Sequence, residues 1–335
     1  MRIPLPLVLF LLGAGALGAS ASENAITYEA KPGPGMGKHI VFLSGDEEYR
    51  SEEALPMLAK ILSQRHGFKC TVVFSVNAEG EIDPNNQESI SNSAALDSAD
   101  LIVMALRFRR WADADLQRYV AAHDRGTPII GLRTSTHAFL SKYKEMDKFG
   151  ERVLGEEWVS HWGRHKAEAT RGVVEPSAKE HPLLRGVSDV FGDTDVYEAY
   201  PPSDAKILLR GQVLKGMKPD SEPASYPKKR ASDGKMQDVN DPMMPVAWSR
   251  ELKTAAGAEQ RILCTTMGSA TDLQSEGLRR LVVNGVYWGL GMEVPSEANV
   301  EYVDPYKPLM YGFNGARKGI KIEDHAIGKE LPAGK

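Results

Sequence analysis

An α/β fold, a parallel sheet flanked by helices with an antiparallel excursion, is the class the sequence predicts. Three observations lead to it. HIVFLSG (39–45), KCTVVFS (69–75), ADLIVMAL (99–106) and TPIIGLR (127–133) are near-continuous apolar runs, the pattern of strands buried on both faces. Helical segments alternate with them, as crossovers between parallel strands require. From Ser141 to about Gly211 the rhythm lengthens into polar, aromatic-containing stretches suited to antiparallel pairing.

The chain begins with a basic residue, Arg2, an apolar run from Leu5 to Leu17 and the small-residue triplet Ala19-Ser20-Ala21. This reads as a cleavable secretory signal over residues 1–21, which implies a periplasmic or secreted protein. No later stretch approaches the roughly 20 apolar residues of a membrane span. A Pro/Gly linker over residues 22–37 precedes the main domain, 38–295. Its first helix, SEEALPMLAKILSQRHG, carries Leu55, Leu58, Ala59 and Leu62 on one face and stops at Gly67. A second, ADADLQRYVAAHDRG, lies between the third and fourth strands. Candidate strands HKAEATRGVVE, TDVYEAY and AKILLRGQVL follow, and then Lys215 to Pro242, charged and Pro-rich, reads as a solvated loop. PVAWSREL and RILCTTMG return the chain to the sheet, the helix SEGLRRLVVNGVYWGLG closes it, and residues 296–335 read as an extended tail.

About 310 residues remain after the signal, enough for one sizeable core without staples. The two cysteines, Cys70 and Cys264, sit inside apolar strands and read as buried thiols. The net charge of −4 and the lack of a basic stripe exclude a nucleic-acid partner.

Open parallel sheets bind ligands beyond the carboxyl ends of their strands. The first strand is followed there by Asp46, Glu47, Glu48, Tyr49 and Arg50, the third by Arg107, Phe108 and Arg109, and the fourth by Arg133, Thr134, Ser135, Thr136 and His137. Arginine forks suit anionic or strongly polar ligands, or else neutralise the three acids across the same edge. Ser135 offers a nucleophile only with a base and an orienting acid beside it. The reading favoured for Ser135 and Thr136 is helix capping. His161 and His165, in EEWVSHWGRHK, are four apart and would share a helix face, a spacing usable by a divalent metal. Trp158 and Trp162 beside them suit sugar-ring stacking, so a polar ligand is the first reading for these histidines and a metal the second. No cofactor is otherwise expected. Asp195 and Tyr197, in DTDVYEAY, are either ligand contacts on the rim or one face of a strand.

GLRTSTHAF, HPLLRGV followed by DVYEAYPP, DPMMPVAWSRE, and ILCTTMGSATDLQSEGLRRLVVNGVYWGLG together resemble the ThuA-like, or trehalose-utilisation, family across roughly 38–295. The resemblance implies a flavodoxin-like, class I glutamine amidotransferase-like fold and a link to sugar catabolism. In amidotransferases of that fold the elbow after the fourth strand reads G-x-C-x-G. Here GLRTS puts Arg133 at the cysteine position, where many family members have histidine. Glutaminase activity is therefore not expected.

The expectation for function is an exported protein of carbohydrate catabolism acting on a disaccharide or keto-sugar by acid/base isomerisation or cleavage. His137, Arg133 and Glu48 are the expected catalytic groups. Asp46, Glu47, Tyr49, Arg107, Arg109, Thr134, Ser135, His161, His165, Asp195 and Tyr197 are expected around a small sugar ligand. A non-catalytic carbohydrate-binding or accessory protein is the alternative.

Overall fold

The computed structural model describes residues 20–22, 24–140 and 146–332. The expected signal lies outside the described residues as far as residue 19. An eleven-stranded mixed sheet is built from β1 (Ser20–Ser22), β2 (Ala25–Tyr28), β3 (His39–Gly45), β4 (Lys69–Val73), β5 (Leu101–Leu106), β6 (Ile129–Leu132), β7 (Thr170–Val174), β8 (Phe191–Gly192), β9 (Lys206–Val213), β10 (Met244–Lys253) and β11 (Glu259–Thr265). Their spatial order is β1-β2-β4-β3-β5-β6-β11-β10-β9-β7-β8.

Five of them, β4-β3-β5-β6-β11, are mutually parallel. Counted along the chain they run 2-1-3-4-5, the flavodoxin-like order. Four more strands, β10, β9, β7 and β8, continue from β11 by antiparallel pairing, the excursion expected from residue 141 onward, and β2 and β1 extend the other edge, also antiparallel, beyond β4. Alternation across β3 shows how both faces are covered. Ile40 and Phe42 join the core under α1 (Ser51–His66) and α3 (Glu276–Gly289), while Val41 and Leu43 join the core under α2 (Asp113–Asp124). Cys70 and Cys264 are both free and buried. Gly67, at φ 78, ends α1 with its N–H on the Leu62 carbonyl, a left-handed conformation that glycine adopts without steric cost.

Three expectations need correction. The segment read as a linker contributes β2, antiparallel to β4, because Ala25, Ile26 and Tyr28 are apolar enough to be buried against the sheet edge. The loop 215–242 is not wholly solvated. It contains a hairpin, Pro227–Lys229 with Met236–Asp238, and buries Ala224 and Val239. The tail is mostly extended but tightly docked. Lys60 pairs with Asp304 at 2.6 Å, Arg317 pairs with Glu53, and the Ile82 N–H donates to the Ile320 carbonyl at 2.7 Å. Among the described residues no helix is long and apolar enough to cross a membrane.

Candidate functional site

The strand order reverses between β3 and β5, so the loops leaving their carboxyl ends diverge and open a crevice. A cavity of about 200 Å³ lies there. Glu48 and Tyr49 reach it from the β3 loop, Arg107 and Phe108 from the β5 loop, and His137 from the β6 corner. The antiparallel excursion adds Trp158, His161, His165 and Tyr197, and the tail adds Phe313. A larger cavity of about 620 Å³ lies between α1 and the tail. Its cations are each matched by an acid: Lys60 with Asp304, Arg317 with Glu53, Lys307 with Glu330 and Lys329 with Asp324. It stands away from the strand ends, and the switch-point crevice is the better site.

Several expected ligand contacts are instead scaffold. Asp46 is buried; its Oδ1 accepts the backbone N–H groups of Glu48 and Tyr49 at 2.7 and 2.9 Å, and Thr134 Oγ1 donates to its Oδ2. Glu47 accepts from Arg109 and Gln87, each at 2.6 Å, with Arg107 at 3.5 Å. Arg109 spends its remaining donors on Ser75 Oγ and on the carbonyls of Pro84, Asn86 and Arg107. This guanidinium is buried among those partners and does not line the crevice. Ser135 Oγ donates to the Met104 carbonyl at 2.9 Å and accepts from the Leu106 N–H at 3.3 Å. It is neither nucleophile nor cap. The corner Arg133–His137 is a 3₁₀ turn without a side-chain cap, and Ser135 instead ties it to β5.

Arg133, expected to be catalytic, is sealed beneath the crevice. At φ 45 its backbone turns the side chain inward, where Nη1 donates to the carbonyls of Asp195 and Thr266 at 2.8 and 2.7 Å. Nη2 reaches Asp195 Oδ1 at 3.2 Å and Tyr49 Oη at 3.3 Å. The guanidinium lies 3.9 Å from the Tyr197 ring centre and 4.6 Å from that of Tyr49, close enough for cation–π attraction at both faces. Arg133 thus organises Asp195, Tyr49 and Tyr197 without touching the cavity.

Above it sits an acid–histidine cluster. Asp195 Oδ2 is 2.8 Å from His161 Nδ1, and Oδ1 is 3.0 Å from His165 Nδ1. His165 Nε2 is in turn 3.0 Å from Glu48 Oε1. Burial by itself would raise the Asp195 carboxyl, but the hydrogen bonds from both histidines and the charge of Arg133 outweigh it and hold the group below the usual carboxylate range. Asp195 is therefore ionised across the working pH range. The histidines do not share a helix face. His161 ends a two-residue strand paired with Tyr197–Glu198, and a turn carries the chain on to His165. That pairing places Tyr197 opposite His161.

His137 also lines the cavity, with its ring centre 5.0 Å from Phe108 and 5.5 Å from Trp158. Burial first, and then Arg107, Arg133 and His161, push its pKa down to about 3. It is a neutral ring at neutral pH. Burial raises the Tyr49 phenol to about 12, so it remains a donor. Trp162, expected to stack on a sugar, is fully buried with its indole N–H on the Val239 carbonyl at 2.9 Å.

The residues that sequence reasoning missed come from the tail. Tyr311 stacks on Tyr49 at 5.3 Å, and Phe313 lies under the Arg107 guanidinium at 5.1 Å. An isolated aromatic in a Gly- and Lys-rich segment carries no periodic signal, so only docking reveals it.

His161, His165 and Asp195 offer nitrogen and oxygen ligand atoms within 4.8 Å of one another, a donor set suited to a divalent transition metal. The same atoms satisfy one another as hydrogen-bonding partners.

Fold and crevice together define a flavodoxin-like α/β protein with an acid–histidine cluster at its switch point. The chain belongs to the ThuA family, described as trehalose utilisation, whose sequence pattern matches residues 39–289. It is similar to a ThuA-like protein from Parabacteroides merdae, at 15% identity and a TM-score of 0.49, covering 77% of this chain and 92% of that one. It is also similar to a ThuA-like protein from Bacteroides uniformis, at 14% identity and a TM-score of 0.46, covering 81% and 98% respectively. No curated protein matches the sequence.

Proposed function

We propose that this is an exported carbohydrate-catabolic protein that moves a proton on a keto-sugar ring, isomerising a disaccharide derivative or cleaving its glycosidic bond. The observation that carries the reading is the contact between Asp195 Oδ2 and His161 Nδ1. With the carboxylate ionised, Nδ1 holds the ring proton and Nε2 is left as the basic nitrogen, in a ring that lines the crevice. Abstraction of the proton beside a keto group leaves an enolate, whose oxygen Arg107 can stabilise. Passage of the neighbouring hydroxyl proton to the enolate oxygen, with return of the proton held by His161 to the former carbonyl carbon, isomerises the sugar. Expulsion of a glycosidic oxygen from the next carbon, protonated by the His161 imidazolium as it leaves, instead cleaves it to an enone and a free hydroxyl. Family membership supports the sugar class, and the basic, apolar and small-residue pattern of residues 2–21 supports export.

Purified protein incubated with disaccharides and their keto derivatives should give product, followed by NMR. His161→Ala should lower turnover by about 10²–10⁴-fold. Its ring is 35% exposed but bonds the buried Asp195 carboxylate, so melting should fall modestly while the protein stays folded. Saturable binding without product would turn the reading to a carbohydrate-binding accessory protein.

The convergence of His161, His165 and Asp195 favours a second reading, in which a divalent cation replaces the shared protons and polarises the keto oxygen. Calorimetric titration with Zn²⁺ should then show one site that His165→Ala removes. Absence of heat in the unaltered protein would leave the proton-transfer reading.

A further inference from the structure

The crevice is enclosed on one side by a segment that lies beyond the family-matched residues 39–289. The tail reaches it through bonds that leave little freedom. The Gly312 N–H donates to the Glu48 carbonyl at 2.8 Å, Arg50 donates to the Gly312 carbonyl, and Tyr311 Oη donates to the Asp193 carbonyl at 3.2 Å. The Leu309 N–H donates to Glu53 Oε2 at 2.9 Å. These fixed points hold Tyr311 under the site and present Phe313 at its mouth.

Phe313 is 52% exposed and Trp158 37%, although both line the cavity. Between them runs an unbroken series of flat groups: Trp158 to His137 at 5.5 Å, His137 to Phe108 at 5.0 Å, Phe108 to Arg107 at 4.5 Å, and Arg107 to Phe313 at 5.1 Å. A cavity of about 200 Å³ is below the roughly 300–1,000 Å³ of sites that engulf drug-sized ligands, so it suits one sugar ring rather than two. Half-exposed aromatic faces at its rim suit a second ring left outside.

We infer that the site takes disaccharides end-on, with the reacting ring in the crevice and the second ring against Phe313, so that the C-terminal tail sets substrate length. This rests on the sugar reading of the crevice. It adds that Phe313 discriminates between one ring and two, while the groups that handle the proton stay below.

Calorimetry on the full chain with glucose and with trehalose, each in plain and keto form, tests it. The unaltered protein should bind the disaccharide more tightly than the monosaccharide. Phe313→Ala should weaken the disaccharide by about tenfold and glucose by less than about twofold, while Phe313→Tyr keeps the disaccharide advantage. Equal loss for both sugars, or no loss for either, overturns the length-setting role and leaves the sugar reading intact. Failure of the unaltered protein to bind any of the four sugars overturns both.

Discussion

His161 Nδ1 stands 2.8 Å from Asp195 Oδ2, and this contact decides which ring nitrogen is left for chemistry. The carboxylate is in turn held by Arg133 from below and by His165 from the side. Four residues from three separate segments thus fix one proton.

Asp195→Asn should act on activity through this tautomer. An amide can present a donor to His161 as readily as an acceptor, so the imidazole proton is free to move to Nε2 and the proposed base is lost. Turnover should fall by about 10²–10⁴-fold, as with His161→Ala, and stability should fall further than in the histidine variant, because the buried Arg133 loses its counter-charge. Parallel kinetics and thermal melts of the two variants distinguish them.

Arg133→Met should unfold the protein more easily rather than merely silence it. Removing the guanidinium leaves Asp195 buried and charged, with two carbonyls unpaired, a loss of about 3–5 kcal/mol. Urea denaturation measures it. A variant as stable as the parent would show that Arg133 is not the organiser.

Ser135→Ala should cost about 1–3 kcal/mol and leave ligand response in the folded protein unchanged. The hydroxyl is spent on Met104 and Leu106, and its loss orphans both backbone groups. Abolished turnover in a well-folded Ser135→Ala protein would restore the nucleophile.

Acid should destabilise the protein partly through His137. Its folded pKa is pushed down to about 3, against about 6.5 in an unfolded chain. Between those values the unfolded state binds the extra proton, so stability falls as pH drops through that window. Urea midpoints from pH 6.5 down to pH 4 should fall less steeply in His137→Gln than in the parent. Parallel slopes would place the acid sensitivity elsewhere.

Glu52 predicts the opposite dependence. Both its oxygens are buried without a hydrogen-bond partner, and burial first, opposed by Arg50 and reinforced by Glu53, pushes its pKa up to about 8. A raised folded value means stability present below about pH 4.3 and lost as pH rises through 8. Glu52→Met should therefore gain stability relative to the parent progressively from pH 5 to pH 9. A constant difference between the two proteins across that range would refute it.

The sequence by itself determined the architecture. HIVFLSG, KCTVVFS, LIVMAL and IIGL are local apolar runs too continuous for anything but doubly covered strands, and the helices between them carry their own periodicity and stops, as at Gly67. The segments after β3, β5 and β6 were legible as the site's surroundings because parallel strands put their carboxyl ends on one edge. Which side chains face the crevice was legible only in part: Glu48, Arg107, His137 and His161 line it as expected, others do not. Arg109 and Arg133 sit in equally polar stretches as Arg107, yet they are sealed away by partners such as Glu47, Asp195 and Thr266, 62, 62 and 133 residues distant. The histidine pair 161/165 matched a helical spacing, but pairing of Ser160–His161 with Tyr197–Glu198 overrode it. Only the tertiary structure could bring Tyr311 and Phe313 to the mouth. Their placement depends on bonds from Gly312 to the Glu48 carbonyl and the Arg50 guanidinium, more than 260 residues earlier in the chain, and local pattern carries no information about contacts made at that distance.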